Sequence, residues 1–289
     1  MSDLNNKYKL HIVIPTKNSP DILELTMDSI INKHLHLNNT FNNFVFYVVD
    51  TGSDQENKDY ILKYEQQNPD IEFRNIYING YHYGKVNNYV IKNSLERDKE
   101  KEDLVLLCNN DLNLLSDCVT RFVDFYDTTD NTGVIGCKLL FGNKTIQHAG
   151  QIIASTGDEY FPTHRGLKEH YTNHSEVTAV LGNTAALALI DLDLFLDVGG
   201  FNEEYEFCFE DLQLNLDCLQ KGKTNYYLGD AVSYHFESIN KEREGYDIYR
   251  RGHLSRGDYA KVFKPYIYEN REFFDEKIAE LVTEKYQPA

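Results

Sequence analysis

The chain has 289 residues and a formal charge of −17, from 46 acidic and 29 basic side chains. With 41% hydrophobic and 26% charged residues it reads as a globular chain that can bury a core, not a disordered one. So acidic a surface repels nucleic acid and anionic membranes, which excludes both as expected partners. No apolar run approaches the ~18 residues of a membrane span, so no integral membrane segment is expected. Five cysteines (Cys108, Cys118, Cys137, Cys208, Cys218) without C-x-x-C spacing argue against a disulfide framework or a zinc knuckle and for a reducing compartment. The opening MSDLNNKYKL has no apolar region of a secretory signal, so a cytoplasmic location is the expectation.

The elements follow in a regular order. Lys9 to Ile14 is an apolar run ending at Pro15, the pattern of a parallel strand covered on both faces. Pro20 to His34 carries apolar residues near helical spacing. Phe44 to Val49 is a second strand, ending at Asp50. Asp54 to Gln67 reads as a helix, Ile71 to Ile78 as a strand, and Val86 to Leu95 as a helix. Leu104 to Cys108 is a fourth strand, ending at Asn109-Asn110-Asp111; Ser116 is the expected N-cap of the next helix, and Val134 to Cys137 is a fifth strand. Strand and helix alternating in this way predict a mostly parallel, doubly wound α/β sheet. The second half has another rhythm: a hairpin near Gly142–Ala154, an irregular stretch from Ser155 to Ser175, a β-rich segment from Val177 to Ile190, and a short helix before Gly199-Gly200. A helix over Glu210–Gln220, one or two strands in Tyr226–Phe236, and a helical tail from Lys241 complete the chain. One domain with a helical C-terminal extension is the simplest parse.

Ligands of such sheets sit off the carboxyl ends of the strands. The residues to read are therefore Pro15-Thr16-Lys17-Asn18, Asp50-Thr51-Gly52-Ser53, Asn79-Gly80-Tyr81 and Asn109-Asn110-Asp111. Asp50 can accept from a ribose hydroxyl or a base imide, or can simply close a turn. Asp111, an acid among small amides, can hold a divalent cation beside substrate phosphates, or can cap the approach to a helix. Glu210-Asp211 are either solvated first-turn acids or a general base near a bound hydroxyl. His235 is either a structural histidine or a metal ligand. Several familiar patterns are absent. Gly80-Tyr-His-Tyr-Gly84-Lys85 is one residue short of a phosphate-binding P-loop, no G-x-G-x-x-G follows the first strand, and no G-x-S-x-G elbow occurs.

Taken together, the segments resemble the family 2 glycosyltransferases of the GT-A nucleotide-sugar fold, in their rhamnosyltransferase-like branch. The likeness runs in order from about Leu10 to Ser238. It comprises Ile12-Val-Ile-Pro-Thr-Lys-Asn18, Val48-Val-Asp-Thr-Gly-Ser53, Asn79-Gly-Tyr-His-Tyr-Gly-Lys-Val-Asn87 and Leu106-Leu-Cys-Asn-Asn-Asp111. Gln147-His-Ala-Gly150, His164-Arg-Gly166, Gly199-Gly-Phe-Asn-Glu-Glu204, Glu210-Asp211 and His235 continue it. The resemblance implies a GT-A domain over residues 1–240, with a nucleotide-binding half (1–115) and an acceptor-side half (116–240), and a helical extension over 241–289.

It further implies that Pro15, Thr16, Asn18 and Asp50 receive the nucleoside, supported by Gly80 and Asn87. Asn109 and Asn110 would join the nucleotide-sugar pocket, and Asp111 would hold Mn²⁺ or Mg²⁺ with His235 as a further ligand and Asn109 assisting through water or the ribose. Asp211 would be the catalytic base, with Glu210 helping orient the acceptor or the base. The implied reaction is an inverting transfer from a UDP- or dTDP-linked sugar to a glycan, lipid-linked or protein acceptor. A homodimer through the aromatic C-terminal helices is a further expectation. Two departures stand out: Asn109 replaces the first acid of a strict D-x-D, and Gln213 stands where many relatives have another acid. Two other readings compete: a catalytically silent sugar- or nucleotide-binding scaffold on this fold, and a sugar-nucleotide nucleotidyltransferase. The latter lacks its Gly-rich basic loop after the first strand. Lys85, Arg165, Arg250 and Arg251 are candidate partners for phosphate, and Ser155–Ser175 or the C-terminal helices are candidate covers for the donor.

Overall fold

The protein is seen here as a computed structural model that describes residues 4–35, 41–151, 153–156, 159–162, 167–168, 176–236 and 248–282. A short helix α1 (Leu4–Lys7) leads into β1 (Tyr8–Thr16), α2 (Pro20–Leu35), β2 (Phe44–Asp50), α3 (Gln55–Gln67), β3 (Glu72–Tyr77), α4 (Tyr83–Asn93) and β4 (Glu102–Cys108). The strands pair in parallel in the order β3-β2-β1-β4. β1 therefore lies between β2 and β4, at the point where the winding reverses and where α/β sheets open a crevice.

Every residue of β2 is buried, as is nearly every residue of β1 and β4. The reason is that helices cover both faces. Leu10, Ile12 and Ile14 pack with Leu23, Met27 and Ile30 of α2 on one side. On the other side Val13, Val45 and Tyr47 pack with Val86, Val90 and Ile91 of α4. The continuous apolar runs of the sequence are this double coverage.

The second half is mixed. After β5 (Leu112–Leu114), α5 (Cys118–Thr128) and β6 (Thr132–Leu140) come β7 (Thr145–His148), the β8–β9 hairpin (Ile153–Thr156, Glu159–Pro162), β10 (Leu167–Lys168), β11 (Val177–Val180) and β12 (Leu187–Asp191). Then follow α6 (Leu192–Asp197), α7 (Glu210–Gln220) and β13 (Thr224–His235). β12 runs antiparallel to β4 and to β6, while β13 runs parallel to β6 and antiparallel to β5 and β11. The expected tract at Tyr226–Phe236 is thus one long strand, bent by an irregularity between Leu228 and Val232.

The cap of α5 is Asp117, whose carboxylate accepts the Thr120 amide; the Ser116 hydroxyl accepts the Val232 amide of β13 instead, so the sequence assignment of the cap shifts by one residue. Helices at Ile248–Asp258, Lys264–Glu269 and Arg271–Val282, with a π-helical turn at Tyr259–Phe263, form the C-terminal part. Phe263, Ile267 and Phe274 pack there on Leu212, Leu216 and Leu219 of α7. Leu214 and Cys218 of the same helix face the sheet, so α7 is held from two sides. No helix among the described residues is long and apolar enough to cross a membrane.

Candidate functional site

The carboxyl ends of β1, β2 and β4 meet at Thr16. Its carbonyl accepts from the Thr51 amide (3.0 Å) and hydroxyl (2.9 Å), and its hydroxyl accepts from Asn110 Nδ2 at 2.9 Å. Pro15 precedes it, paired with Val49. Asp50 is buried. Its Oδ1 accepts the Gly52 and Ser53 amides, both at 2.9 Å, which is the turn role, while Oδ2 is enclosed and makes no hydrogen bond. A buried carboxylate oxygen without a donor is costly, and a bound hydroxyl or imide would satisfy it. Asn18, exposed and at positive φ, ties this turn to the β1 loop: its amide donates to Ser53 Oγ and its Oδ1 accepts the Asp54 amide. Gly80 also has positive φ, and its amide approaches Gly52. Asn87 is buried in α4, where its Nδ2 donates to Tyr83 O and its Oδ1 is enclosed without a hydrogen-bond partner.

The Asn109–Asp111 turn is held on all sides. Asn109 N donates to Ala186 O, and Phe236 N donates to Asp111 O. The Thr26 hydroxyl of α2 lies 2.8 Å from Asn110 O and accepts the Leu112 amide at 2.9 Å. Antiparallel pairing sets His235 opposite Leu112, which brings its ring to Asp111. His235 Nε2 lies 3.2 Å from Asp111 Oδ1 and 3.1 Å from Asn109 Nδ2; Nδ1 lies 2.7 Å from Gln147 Oε1. The Gln147 oxygen calls for a proton on Nδ1, so in the neutral ring Nε2 keeps a lone pair, within reach of both the Asn109 amide and Asp111. That Asp111 oxygen is buried and accepts no hydrogen bond.

The Nε2 lone pair can accept from the Asn109 amide, and a positive charge between Nε2 and the enclosed Asp111 oxygen, carried by a proton or by a cation, would satisfy that carboxylate. Adjacent ligands of an octahedral cation bound at about 2.1 Å stand about 3 Å apart, so the pair fits a small divalent ion in distance and in chemistry. Among the described residues no group of three or more His, Cys, Asp or Glu side chains forms a fuller metal cage. One or two protein ligands beside substrate phosphates is the usual pattern for such an ion.

Asp211 stands in the first turn of α7, half-buried. Its Oδ2 accepts the Ala185 amide (3.3 Å), and the next residue, Ala186, receives Asn109. The two acidic stations are therefore joined through Ala185 and Ala186, the two residues just before β12. Tyr83, heading α4, donates to Ala185 O at 2.8 Å. Burial pushes its hydroxyl pKa well above the ordinary value, and the charges of Glu210 and Asp211 add to the shift. The structure thus collects Thr16, Asp50, Asn109, Asn110, Asp111, His235, Glu210 and Asp211 around one end of the sheet.

Several supports were not read from the sequence. Asn88 accepts the Phe201 amide and donates to Phe201 O and Glu203 Oε1, pinning the Gly199-Gly200 turn, where both glycines have positive φ. Asn183 and Asn215 exchange backbone and side-chain bonds, and Asn215 Nδ2 also holds Asp211 O at 2.7 Å. Gln213 accepts from Tyr205 Oη (2.7 Å) and Asn202 Nδ2 (3.2 Å), and its side chain also hydrogen-bonds the Asp217 carboxylate, which a second acid at 213 would repel. His148, beside Gln147, accepts the Gly150 and Thr184 amides through Nε2. Only the residue types gave any signal for these, because each partner is distant in sequence. His164-Arg165-Gly166 and most of Ser155–Ser175 lie outside the described residues, as do the side chains of Arg250 and Arg251. Lys85 is exposed on α4.

The family profile "Glycosyl transferase family 2" matches residues 11–196. The O-antigen biosynthesis protein RfbC of Myxococcus xanthus is 25% identical over 240 residues, covering 82% of this chain and 18% of that protein. An uncharacterized protein, y4gI, of Sinorhizobium fredii (strain NBRC 101917 / NGR234) is 28% identical over 258 residues, 86% of this chain and 27% of that protein. The chain thus spans roughly a fifth to a quarter of the length of these relatives. Among solved structures, the mannosyltransferase PcManGT from Pyrobaculum calidifontis in complex with GDP-Man and Mn²⁺ superposes with a TM-score of 0.58 at 13% identity, over 81% of this chain and 58% of that one. GalNAc-T7 with UDP, GalNAc and Mn²⁺ gives 0.60 at 12% identity, over 80% and 44%. These likenesses establish the GT-A fold, and the family match, which spans more than half of the sequence, places the chain in glycosyltransferase family 2.

Proposed function

We propose that this glycosyltransferase moves a sugar from a nucleoside-diphosphate sugar to a hydroxyl of a growing glycan, with inversion at the anomeric carbon. The observation that carries the reading is the Asp111–His235 pair at 3.2 Å, with an enclosed carboxylate oxygen that accepts no hydrogen bond, one short bridge away from Asp211. The complexes of PcManGT with GDP-Man and of GalNAc-T7 with UDP and GalNAc support the donor class, and the name of the Myxococcus relative supports a polysaccharide acceptor.

In this reading Thr16 and Asp50 receive the nucleoside, and the Asp50 oxygen that lacks a donor accepts from it. Asp111 and His235 would hold Mn²⁺ or Mg²⁺, with Asn109 beside them. A cation bound there supplies positive charge to the diphosphate, which the strongly acidic chain would otherwise repel. Asp211 takes the proton of the acceptor hydroxyl as its oxygen attacks the anomeric carbon. The new C–O bond forms as the bond to the phosphate oxygen breaks, and that electron pair leaves with the nucleoside diphosphate. Glu210 orients the acceptor or the base.

The test is hydrolysis or transfer of UDP-, GDP- and dTDP-linked sugars with Mn²⁺ or Mg²⁺, comparing wild type with Asp211→Asn. Loss of the base should lower turnover by about 10²–10⁴-fold while nucleotide binding persists. Undiminished turnover in the variant removes Asp211 from the chemistry, and nucleotide binding without turnover of any donor favours the scaffold reading.

A further inference from the structure

The loop that enters α7 is held by a side chain from far along the sequence. Asp258, the last residue of the helix Ile248–Asp258, is buried. Its Oδ1 accepts the Glu206 amide at 3.0 Å; its Oδ2 accepts the Phe207 amide at 2.7 Å and the Cys208 amide at 2.9 Å. Successive amides turned toward one point form an anion-binding concavity, and here the anion is the protein's own carboxylate. The next residue, Phe209, has φ 76° although it is not glycine, and it makes no side-chain cap for the helix. Such a backbone persists only where its surroundings over-determine it. The surroundings are again C-terminal: Phe263 stacks on the Phe209 ring at 4.8 Å and 18°, and Cys208 Sγ lies 3.3 Å from Ser255 Oγ. Glu210 and Asp211 follow immediately.

We propose that Asp258 is a positioning residue for the acids at the head of α7. By gathering the amides of residues 206–208, it fixes the backbone on which Glu210 and Asp211 are presented, so the C-terminal helices are a working part of the site. The inference rests on the reading of Asp211 as the base. A carboxylate is required because all the groups facing it are donors. An amide at 258 keeps one acceptor oxygen and turns an NH₂ toward the remaining N–H groups.

The test compares full-length wild type, Asp258→Ala, Asp258→Asn and Asp211→Asn. The measurements are amide hydrogen exchange, calorimetric affinity for UDP and GDP with Mn²⁺, and turnover of the nucleotide sugar that the wild type hydrolyses. The expected result for Asp258→Ala is exchange at residues 206–212 faster by at least tenfold and kcat lower by at least tenfold. Nucleotide affinity should stay within twofold of wild type, Asp258→Asn should lie between the two, and added formate should restore part of the kcat of Asp258→Ala but none in Asp211→Asn. Should Asp258→Ala fail to fold, Asp258→Asn is read by the same criteria. Unchanged exchange at 206–212, or unchanged kcat in Asp258→Ala while Asp211→Asn is inactive, overturns the positioning role alone. Full turnover in Asp211→Asn overturns the base reading, and this proposal with it.

Discussion

Replacing Gln147 by leucine removes the acceptor of the His235 Nδ1–H bond and leaves the shape of the site nearly intact. Gln147 is 5% exposed and the bond is 2.7 Å, so water cannot readily take its place. An N–H left unsatisfied in a buried site costs about 1–3 kcal/mol. The ring can escape this cost by moving its proton to Nε2, where Asp111 Oδ1 stands 3.2 Å away and accepts it. The escape consumes both electron pairs that would hold a cation. The expected effect on cation affinity is therefore about 10–100-fold, the usual range for losing an outer-shell partner of a ligating histidine. The assay is a titration of Mn²⁺ into the protein with UDP or GDP, followed by calorimetry and by the loss of the free-ion EPR signal. Thermal unfolding in the absence of metal serves as the control for folding. Affinity within twofold of wild type in a folded Gln147→Leu variant would refute the argument that this bond sets the tautomer for a metal.

Two other perturbations test the frame around the site. A Cβ on Gly136 would overlap the Asn183 side chain, so Gly136→Ala should destabilise the protein by about 1–3 kcal/mol in denaturant unfolding; no change would mean that the Asn183–Asn215 network tolerates displacement. His11 is buried against Asp103 Oδ1 at 2.8 Å, and burial lowers its pKa below the ordinary 6.5 in spite of that carboxylate. Because the folded pKa is depressed, the unfolded chain takes up the proton first. Stability should fall as pH drops below about 6.5, and His11→Gln should flatten that dependence; parallel curves for the two proteins would contradict this.

The sequence was most legible where function depends on strand ends. β2 closes on Asp50 and β4 opens directly onto Asn109–Asp111, because buried parallel strands are apolar up to the residue that leaves the core. α7 begins at Glu210 and ends at Gln220, as its leucine spacing predicts. The joining of these parts was not legible. The bond from Gln147 to His235 spans 88 positions, and that from Asn88 to Phe201 spans 113. No local pattern encodes either one. Leu212, Leu216 and Leu219 identify an apolar face of α7, but only the fold shows that Phe263, Ile267 and Phe274 cover it. Asp258 carries no such signal, since its partners are backbone amides and leave no sequence signature.

Whether His235 and Asp111 share one cation decides the metal assignment. Pulsed EPR of Mn²⁺ bound with UDP or GDP reads this directly, through the hyperfine coupling of the metal to a histidine nitrogen. The predicted result is one imidazole coupling in the wild type, absent in His235→Gln, together with much weaker Mn²⁺ binding in Asp111→Ala. Tight Mn²⁺ binding with no nitrogen coupling in the wild type, or affinity untouched by both substitutions, would contradict the assignment.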